Sequence, residues 1–262
     1  MSMTAPPTMT QLNFAGQDRV EVAIERLRMM EPPGGYYLAY SGGKDSTALL
    51  ALARMAGVRF DTHYQLTTVD PPELVQFIRQ QEDVAIDRPE HTMWQLIVRH
   101  HCPPTRRIRY CCRELKERGG KGRTVLTGVR WAESGQRSKR QWTELCHLTG
   151  RTLVHPIIDW PDAAVWGFIH EHSLPYCPLY DEGFDRLGCV LCPMARREKR
   201  ERQAERWPKL TASYLRAFAR MLAARKTPPR LNWQTAEDVM RWWLEQPDEQ
   251  LIETLPLFGG EA

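Results

Sequence analysis

No run in the 262-residue chain approaches the roughly 18 consecutive apolar residues that a membrane span needs, so a membrane protein is not expected. The opening stretch, MSMTAPPTMTQLNFAG, has neither a basic region nor an apolar core of the kind that directs secretion, and a reducing cytoplasm is the expected location. The 19 Pro and 17 Gly are scattered, which excludes collagen-like and low-complexity chains, and 42% hydrophobic residues exclude disorder. A Walker A loop is missing: it would need Gly in place of Leu38 and Ser or Thr in place of Asp45. Neither G-x-G-x-x-G nor a Ser-His-Asp or paired-acid arrangement stands out. Disulfides are also not expected, because the seven Cys are an odd number, with Cys111 and Cys112 adjacent and Cys189 and Cys192 in a C-x-x-C, a pattern that points to metal or thiol chemistry.

The formal net charge is +4 and unevenly placed. Residues 193–230 carry twelve Lys and Arg against three Glu, and residues 99–123 carry nine against two, so positive charge brackets the adjacent cysteines. An anionic partner, nucleic acid among them, is one reading; a solvated helix face with pairs such as Glu198 with Arg202 and Glu205 with Lys209 is the other.

Hydrophobic periodicity orders the chain. Val20, Ile24 and Leu27 share one helical face, Asp18 is placed to cap it, and PPGG at 32–35 ends it. YYLAY at 36–40 reads as a strand, SGGKDS as a loop, and TALLALARMA as a helix that stops at Gly57. VRFDTHY at 58–64 reads as the next strand; Asp70 then supplies an N-cap, Pro71 the first helical position and Glu73 a first-turn acid. RTVLTGV at 123–129 reads as a strand and 161–172 as a helix capped near Asp162. Alternating strands and helices imply an α/β fold, a parallel twisted sheet with helices on both faces and ligands at the carboxyl ends of its strands. Beyond Cys192 only helical patterns follow, with a break at TPPR, 227–230. The expected organisation is an N-terminal helix and linker, 1–35; a nucleotide-binding α/β domain with the cysteine cluster, 36–192; and a basic helical region, 193–262. The Trp pair in MRWWLEQ and the apolar run at 214–223 serve either a core or an interface, which leaves the number of chains in the assembly open.

Between that strand and helix, Gly42 and Gly43 let the backbone turn tightly and aim N–H groups at an anion, with the helix N-terminus adding positive field. Lys44 adds a point charge, the hydroxyls of Ser41, Ser46 and Thr47 can donate to phosphate oxygens, and Asp45 can hold a bridging Mg²⁺. Further on, Arg130 and Arg137 can clamp a phosphate or sulfate while Glu133, next to Ser134, orients one of them. Lys44, Asp45, Arg130 and Arg137 are therefore the expected catalytic groups. Asp70, Glu73, His155, His170 and His172 are read as structural.

The loop SGGKDS resembles the SGGxDS loop of the PP-loop ATP pyrophosphatase superfamily, which binds the phosphates of an adenine nucleotide. HYQLTTVDPPELVQF, YCCRELK, GVRWAESGQR, HPIIDWPDAAVW and PYCPLYDEGFDRLGCVLCP are similar, in that order, to the phosphoadenosine phosphosulfate reductase family, and within it to the branch that contains the DNA-phosphorothioation and phage-type proteins. The resemblance runs over about residues 36–193 and implies an adenine-nucleotide α-hydrolase-like fold.

Four thiolates with basic neighbours, Arg109, Arg113 and Lys116, suit a metal centre, and tetrahedral zinc would use the same residues. Adjacent cysteines followed by x-x-x-K and a distant C-x-x-C resemble the [4Fe–4S] pattern of adenylylsulfate reductases, which implies Cys111, Cys112, Cys189 and Cys192 as ligands. Cys177 rivals Cys111 for the last position, by resemblance to the phosphorothioation branch. Cys102 and Cys146 have no partner spacing.

The expected activity is AMP transfer from ATP to a substrate for sulfur transfer, with a nucleic acid or a sulfur-donor protein as possible partner. The alternatives are reduction of adenylyl sulfate or its 3′-phosphorylated form with an external thiol, since the reductases carry a C-terminal Cys and no Cys follows Cys192 here, and a zinc-containing nucleic-acid-binding module without catalysis.

Overall fold

The computed structural model describes residues 16–146, 150–225 and 233–245. They fall into two compact units that are discontinuous in sequence. The first comprises Met1–Leu66, Pro72–Arg88 and Lys116–Gly188; the second comprises Thr67–Pro71, Pro89–Leu115 and Cys189–Ala262.

The first unit is built on a six-stranded sheet in the order β3-β2-β1-β4-β6-β5. Its strands are β1 Tyr36–Ala39, β2 Phe60–Gln65, β3 Val84–Asp87, β4 Thr124–Leu126, β5 Thr143–Cys146 and β6 Arg151–Val154. All neighbours pair in parallel except β5, which runs antiparallel to β6. This edge pair was not expected from the sequence. The expected strand at 123–129 shortens to β4, and the residues after it form the loop to Arg130.

Helix α1, Arg19–Met29, starts where the Asp18 carboxylate accepts from Val20 N at 2.7 Å, as its sequence predicts. It packs with α2, Lys44–Ala56, which packs in turn with α5, Asp162–Glu171. Tyr36 donates to the Leu27 carbonyl of α1 at 2.7 Å, so the sheet face carrying Tyr36 and Leu38 is the one α1 covers. α2 ends at Gly57 in the left-handed region (φ 69°), which a residue without Cβ adopts at little cost. α3, Pro72–Arg79, packs on β3 and on the short helical turn Pro178–Tyr180. Asp70 does not cap it; its carboxylate accepts from Thr67 N at 2.7 Å instead.

On the other face of β1 and β2, Tyr37 stacks on His63 at 4.4 Å, and His63 lies between Asp61 (2.6 Å) and Asp87 (3.0 Å). Burial and the Asp87 carboxylate push the Tyr37 hydroxyl up to about 12. Arg118 ties three groups together, donating to the Gln65 side chain (2.6 Å) and to the carbonyls of Asp87 and Arg88 (2.7 Å each). Gly119 has to be glycine for this segment to lie on the sheet, because a Cβ would stand 2.1 Å from the Tyr37 hydroxyl.

The second unit packs α4, Met93–His100, against α7, Pro208–Ala224, with α6, Arg197–Arg206, and α8, Ala236–Leu244, alongside α7. Reciprocal capping boxes start α4 at Thr92 and α8 at Thr235. The apolar run of α7 and Trp243 serve a core, whereas Trp242 is half-buried against Trp233 (4.8 Å): Tyr214 contacts Trp94 (4.9 Å) and Trp243 (4.8 Å), and Trp243 donates its indole N–H to the Pro104 carbonyl at 2.7 Å. The basic α6 is anchored by two buried polar residues. Arg200 donates to the Trp243 carbonyl at 2.6 Å, and Gln203 accepts from Leu191 N at 2.8 Å. On its surface Arg197 pairs with Glu201 at 2.7 Å. The expected break at 227–230 lies outside the described residues. No helix among the described residues is long and apolar enough to cross a membrane.

Candidate functional site

Strand order reverses at β1: the chain proceeds outward through β2 and β3, then returns to place β4 on the other side of β1. Such a reversal opens a crevice at the carboxyl ends of the two central strands. The loops after β1 and β4, Ser41–Gly43 and Thr127–Arg130, meet there. Gly128 is held so close to Asp45 that a Cβ would lie 3.0 Å from its backbone carbon.

The Ser41–Ser46 loop is folded by its own sequence. Gly42 is left-handed (φ 72°), and a Cβ there would be 2.6 Å from Leu74 and 2.8 Å from Ile78. Ser46 Oγ donates to the Gly43 carbonyl (2.9 Å), accepts from Ser41 N (3.2 Å) and meets Ser41 Oγ at 3.1 Å, while Thr47 Oγ1 meets the Tyr40 hydroxyl at 3.3 Å. The hydroxyls of Ser46 and Thr47, expected to donate to a ligand, make these contacts within the first unit. The Lys44 backbone N–H, at the start of α2, donates to the Tyr180 hydroxyl at 2.8 Å. Tyr180 was singled out by no sequence argument; its only signal is the PYCPLY segment.

Four charges alternate beside the loop. Arg130, 1% exposed, donates from Nε to Asp45 Oδ1 at 2.6 Å, from Nη1 to the Trp160 carbonyl at 2.9 Å and from Nη2 to Asp162. Lys44 Nζ, also buried, lies 3.6 Å from Asp45 and 3.5 Å from Asp162. A cap is expected near Asp162; the N-cap of α5 is the adjacent Pro161, with no side-chain bond, and the Asp162 carboxylate, in the first turn of α5, faces the two cations. Partial burial pushes the Asp162 carboxyl up, but the Arg130 hydrogen bond and the Lys44 charge outweigh it and hold it below the usual range. Arg130 and Arg137 take different carboxylate partners. Arg137 pairs with Glu133, whose carboxylate also accepts from Arg130 N at 3.0 Å. Ser134 Oγ accepts from Arg137 N at 3.3 Å.

His155, wholly buried, meets Thr127 Oγ1 through Nδ1 at 2.6 Å, and its Nε2 has no hydrogen-bond partner among the described residues. Burial first and the nearby Arg140 second lower its pKa to about 4. The unfolded chain therefore takes up a proton between about pH 6.5 and 4 that the folded chain refuses. Stability contributed by the neutral ring is full above pH 6.5 and is lost as pH falls towards 4, on the order of 3 kcal/mol in all. His155→Gln should flatten that part of the stability curve in urea titrations at graded pH; a slope equal to the wild type would contradict this account.

The cysteines divide between the units. In the second, the Cys111 and Cys112 thiols hydrogen-bond each other, and Cys189 and Cys192 act on Cys111 electrostatically. The Cys112 bond, then burial, push the Cys111 thiol well up. Arg109 donates from Nη2 to Cys112 Sγ at 3.3 Å, while Arg113 pairs with Glu114. Cys189 Sγ lies 3.5 Å from Thr67 Oγ1, and Val190 is held by the Val69 carbonyl (2.8 Å) and the Tyr214 hydroxyl (3.1 Å). Thr67 and Tyr214, missed in the sequence, thus frame the C-x-x-C loop. Cys177 belongs to the first unit; burial above all raises its thiol pKa, and the Glu73, Glu182 and Asp181 carboxylates raise it further. Among the described residues no group of three or more His, Cys, Asp or Glu side chains is assembled to hold a metal ion. A cleft of about 370 Å³ opens elsewhere in the first unit, lined by Gln65, Asp87, Arg88, Arg118 and Gly119.

Residues 35–195 match the family model of the phosphoadenosine phosphosulfate reductase domain. An uncharacterised protein of Methanocaldococcus jannaschii is 28% identical over 184 residues, 66% of this chain and 44% of that protein. The adenosine 5′-phosphosulfate reductase of Allochromatium vinosum is 32% identical over 102 residues, 37% of this chain and 40% of the reductase. This chain thus spans less than half the length of the curated relatives it matches. Among solved structures, the phosphoadenylyl-sulfate reductase of Candida auris superposes with a TM-score of 0.51 at 20% identity, covering 68% of this chain and 96% of that one, a likeness of fold. With more than half its length matched and the strand order of a doubly wound sheet, the chain belongs to the phosphoadenosine phosphosulfate reductase domain family.

Proposed function

We propose that this chain binds the phosphates of ATP at the Ser41–Ser46 loop, transfers AMP to an oxygen of an acceptor and releases pyrophosphate, so that sulfur can replace the activated oxygen. The observation that carries the reading is the loop at the strand-order reversal, where the α2 N-terminus, Lys44 and Arg130 converge. The acceptor oxygen bonds to the α-phosphorus as the bond to the bridging oxygen breaks, and pyrophosphate leaves with the electron pair. Lys44 and Arg130 stabilise the charge that grows on the leaving group; Arg137, steadied by Glu133, takes a further anionic oxygen. Mg²⁺ enters with the nucleotide and exchanges with the cations now held by Asp45.

The donor chemistry of Cys111, Cys112, Cys189 and Cys192 fits a [4Fe–4S] cluster, with Cys177 as the rival to Cys111 and zinc as the other occupant. A cluster bound there would supply sulfur handling. Thr67 and Tyr214 fix the C-x-x-C loop for it, and Arg109 offsets thiolate charge. The basic tracts would meet a nucleic acid or a sulfur-donor protein, in keeping with the phosphorothioation branch that the motifs resemble.

The Allochromatium relative favours a second reading. A thiolate would attack the sulfur of adenylyl sulfate, the S–O bond would break with AMP as leaving group, and a second thiol would release sulfite and leave a disulfide. A competition titration on anaerobically purified protein separates the two, with ATP against phosphoadenosine phosphosulfate in Mg²⁺ and Asp45→Ala as control. Tighter binding of ATP, lost in the variant, is the expected result. Preference for the sulfonucleotide would transfer the case to the reductase, and binding of neither would sink both.

A further inference from the structure

We infer that Asp162 determines ligand specificity at the loop by standing in for a phosphate, so that only a ligand with the charge of a pyrophosphate group displaces it. This rests on the proposed phosphate-binding role of the loop. Asp162 Oδ1 lies between two cations, 3.5 Å from Lys44 Nζ and hydrogen-bonded to Arg130 Nη2, which is how an anionic phosphate oxygen would sit between them. The partners differ sharply in exposure: the Lys44 and Arg130 side chains are 6% and 1% exposed, whereas that of Asp162 is 64% exposed. The carboxylate is the member of the set that can swing into solvent and be rehydrated without opening the fold.

The Tyr180 hydroxyl plays the matching part on the backbone, accepting from Lys44 N at 2.8 Å. A protein oxygen therefore already fills both a main-chain donor and the side-chain cation pair of the loop. Lys44, Arg130, Asp45 and Asp162 sum to zero charge, and removal of Asp162 leaves +1. An orthophosphate ion exchanges one set of anionic oxygens for another and gains little. A pyrophosphate group brings more charge and more oxygens, enough to replace the carboxylate and the hydroxyl together. Neither family membership nor the loop motif assigns a role to Asp162.

The test is calorimetric titration of the full chain with inorganic pyrophosphate and with orthophosphate, without and with Mg²⁺, in the wild type, Asp162→Asn and Lys44→Ala. In Asp162→Asn, orthophosphate is expected to bind about tenfold tighter and pyrophosphate to gain less, so that the ratio between them shrinks. An unchanged ratio would overturn the inference. So would weaker binding confined to Mg²⁺, which would make Asp162 a metal ligand instead. Pyrophosphate binding that survives Lys44→Ala would show that the loop is not the anion site, a failure of the underlying reading that is distinct from the other two. Asp162→Ser serves as second variant, with a thermal melt to show that each folds.

Discussion

Arg130→Met is expected to cost the chain about 3 kcal/mol, near the lower end for removing one partner of a buried ion pair. The guanidinium is 1% exposed and spends three donors on Asp45, the Trp160 carbonyl and Asp162, so its loss takes this donor from the Trp160 carbonyl and leaves Asp45, of which only 21% is exposed, to Lys44 Nζ at 3.6 Å. Asp162 rehydrates, which keeps the cost from being larger. In a domain of this size the change corresponds to a fall of roughly 6–12 °C in Tm. Arg130→Lys keeps the charge but cannot reach in three directions and should lie between the two. Arg137→Met is the control, since Arg137 is half-buried with one carboxylate partner, and should cost less than about 1 kcal/mol. Denaturation followed by circular dichroism measures all three. If Arg130→Met and Arg137→Met cost the same, the charge quartet is not a structural keystone of the loop.

That quartet also shows how far a sequence carries. The strand, the SGGKDS turn and the helix after it were legible because their determinants are local: a β-rich apolar run, two glycines, and a helix with its stop at Gly57. Asp162 and Asp70 each looked like a cap because an acid before an apolar helical stretch usually is one. Partners far along the chain or in a tight turn claimed them: Arg130 is 32 residues from Asp162, and Thr67 closes on Asp70. The β5–β6 edge pair was missed because TELC and RTLV are short and half-exposed, so neither gives an apolar run nor a clean alternation. The link from Cys189 to Thr67 joins residues 122 apart, and nothing in the spacing of the cysteines announces it. The same holds for the two units, whose segments interleave along the chain and so leave no composition shift at a boundary.

The rivalry between Cys111 and Cys177 yields the other large effect. If the second unit's cysteines hold an iron–sulfur cluster, Cys111→Ser should lose most of the bound iron and labile sulfide, because serine replaces the thiol that hydrogen-bonds Cys112 and feels Cys189 and Cys192. Cys192→Ser should lose as much. Cys177→Ser should retain the cluster: that thiol is fully buried at the start of the Pro178–Tyr180 turn, Glu73, Glu182 and Asp181 act on it electrostatically, and it acts in turn on the Tyr40 and Tyr180 hydroxyls. Its loss should register instead as a modest fall in thermal stability, about 1 kcal/mol for swapping a small buried apolar group for a hydroxyl. Iron and sulfide assays with the visible spectrum of anaerobically purified variants decide the matter. Loss of iron in Cys177→Ser with retention in Cys111→Ser would reverse the assignment, whereas stoichiometric zinc without sulfide in the wild type would replace the cluster by a tetrahedral thiolate site.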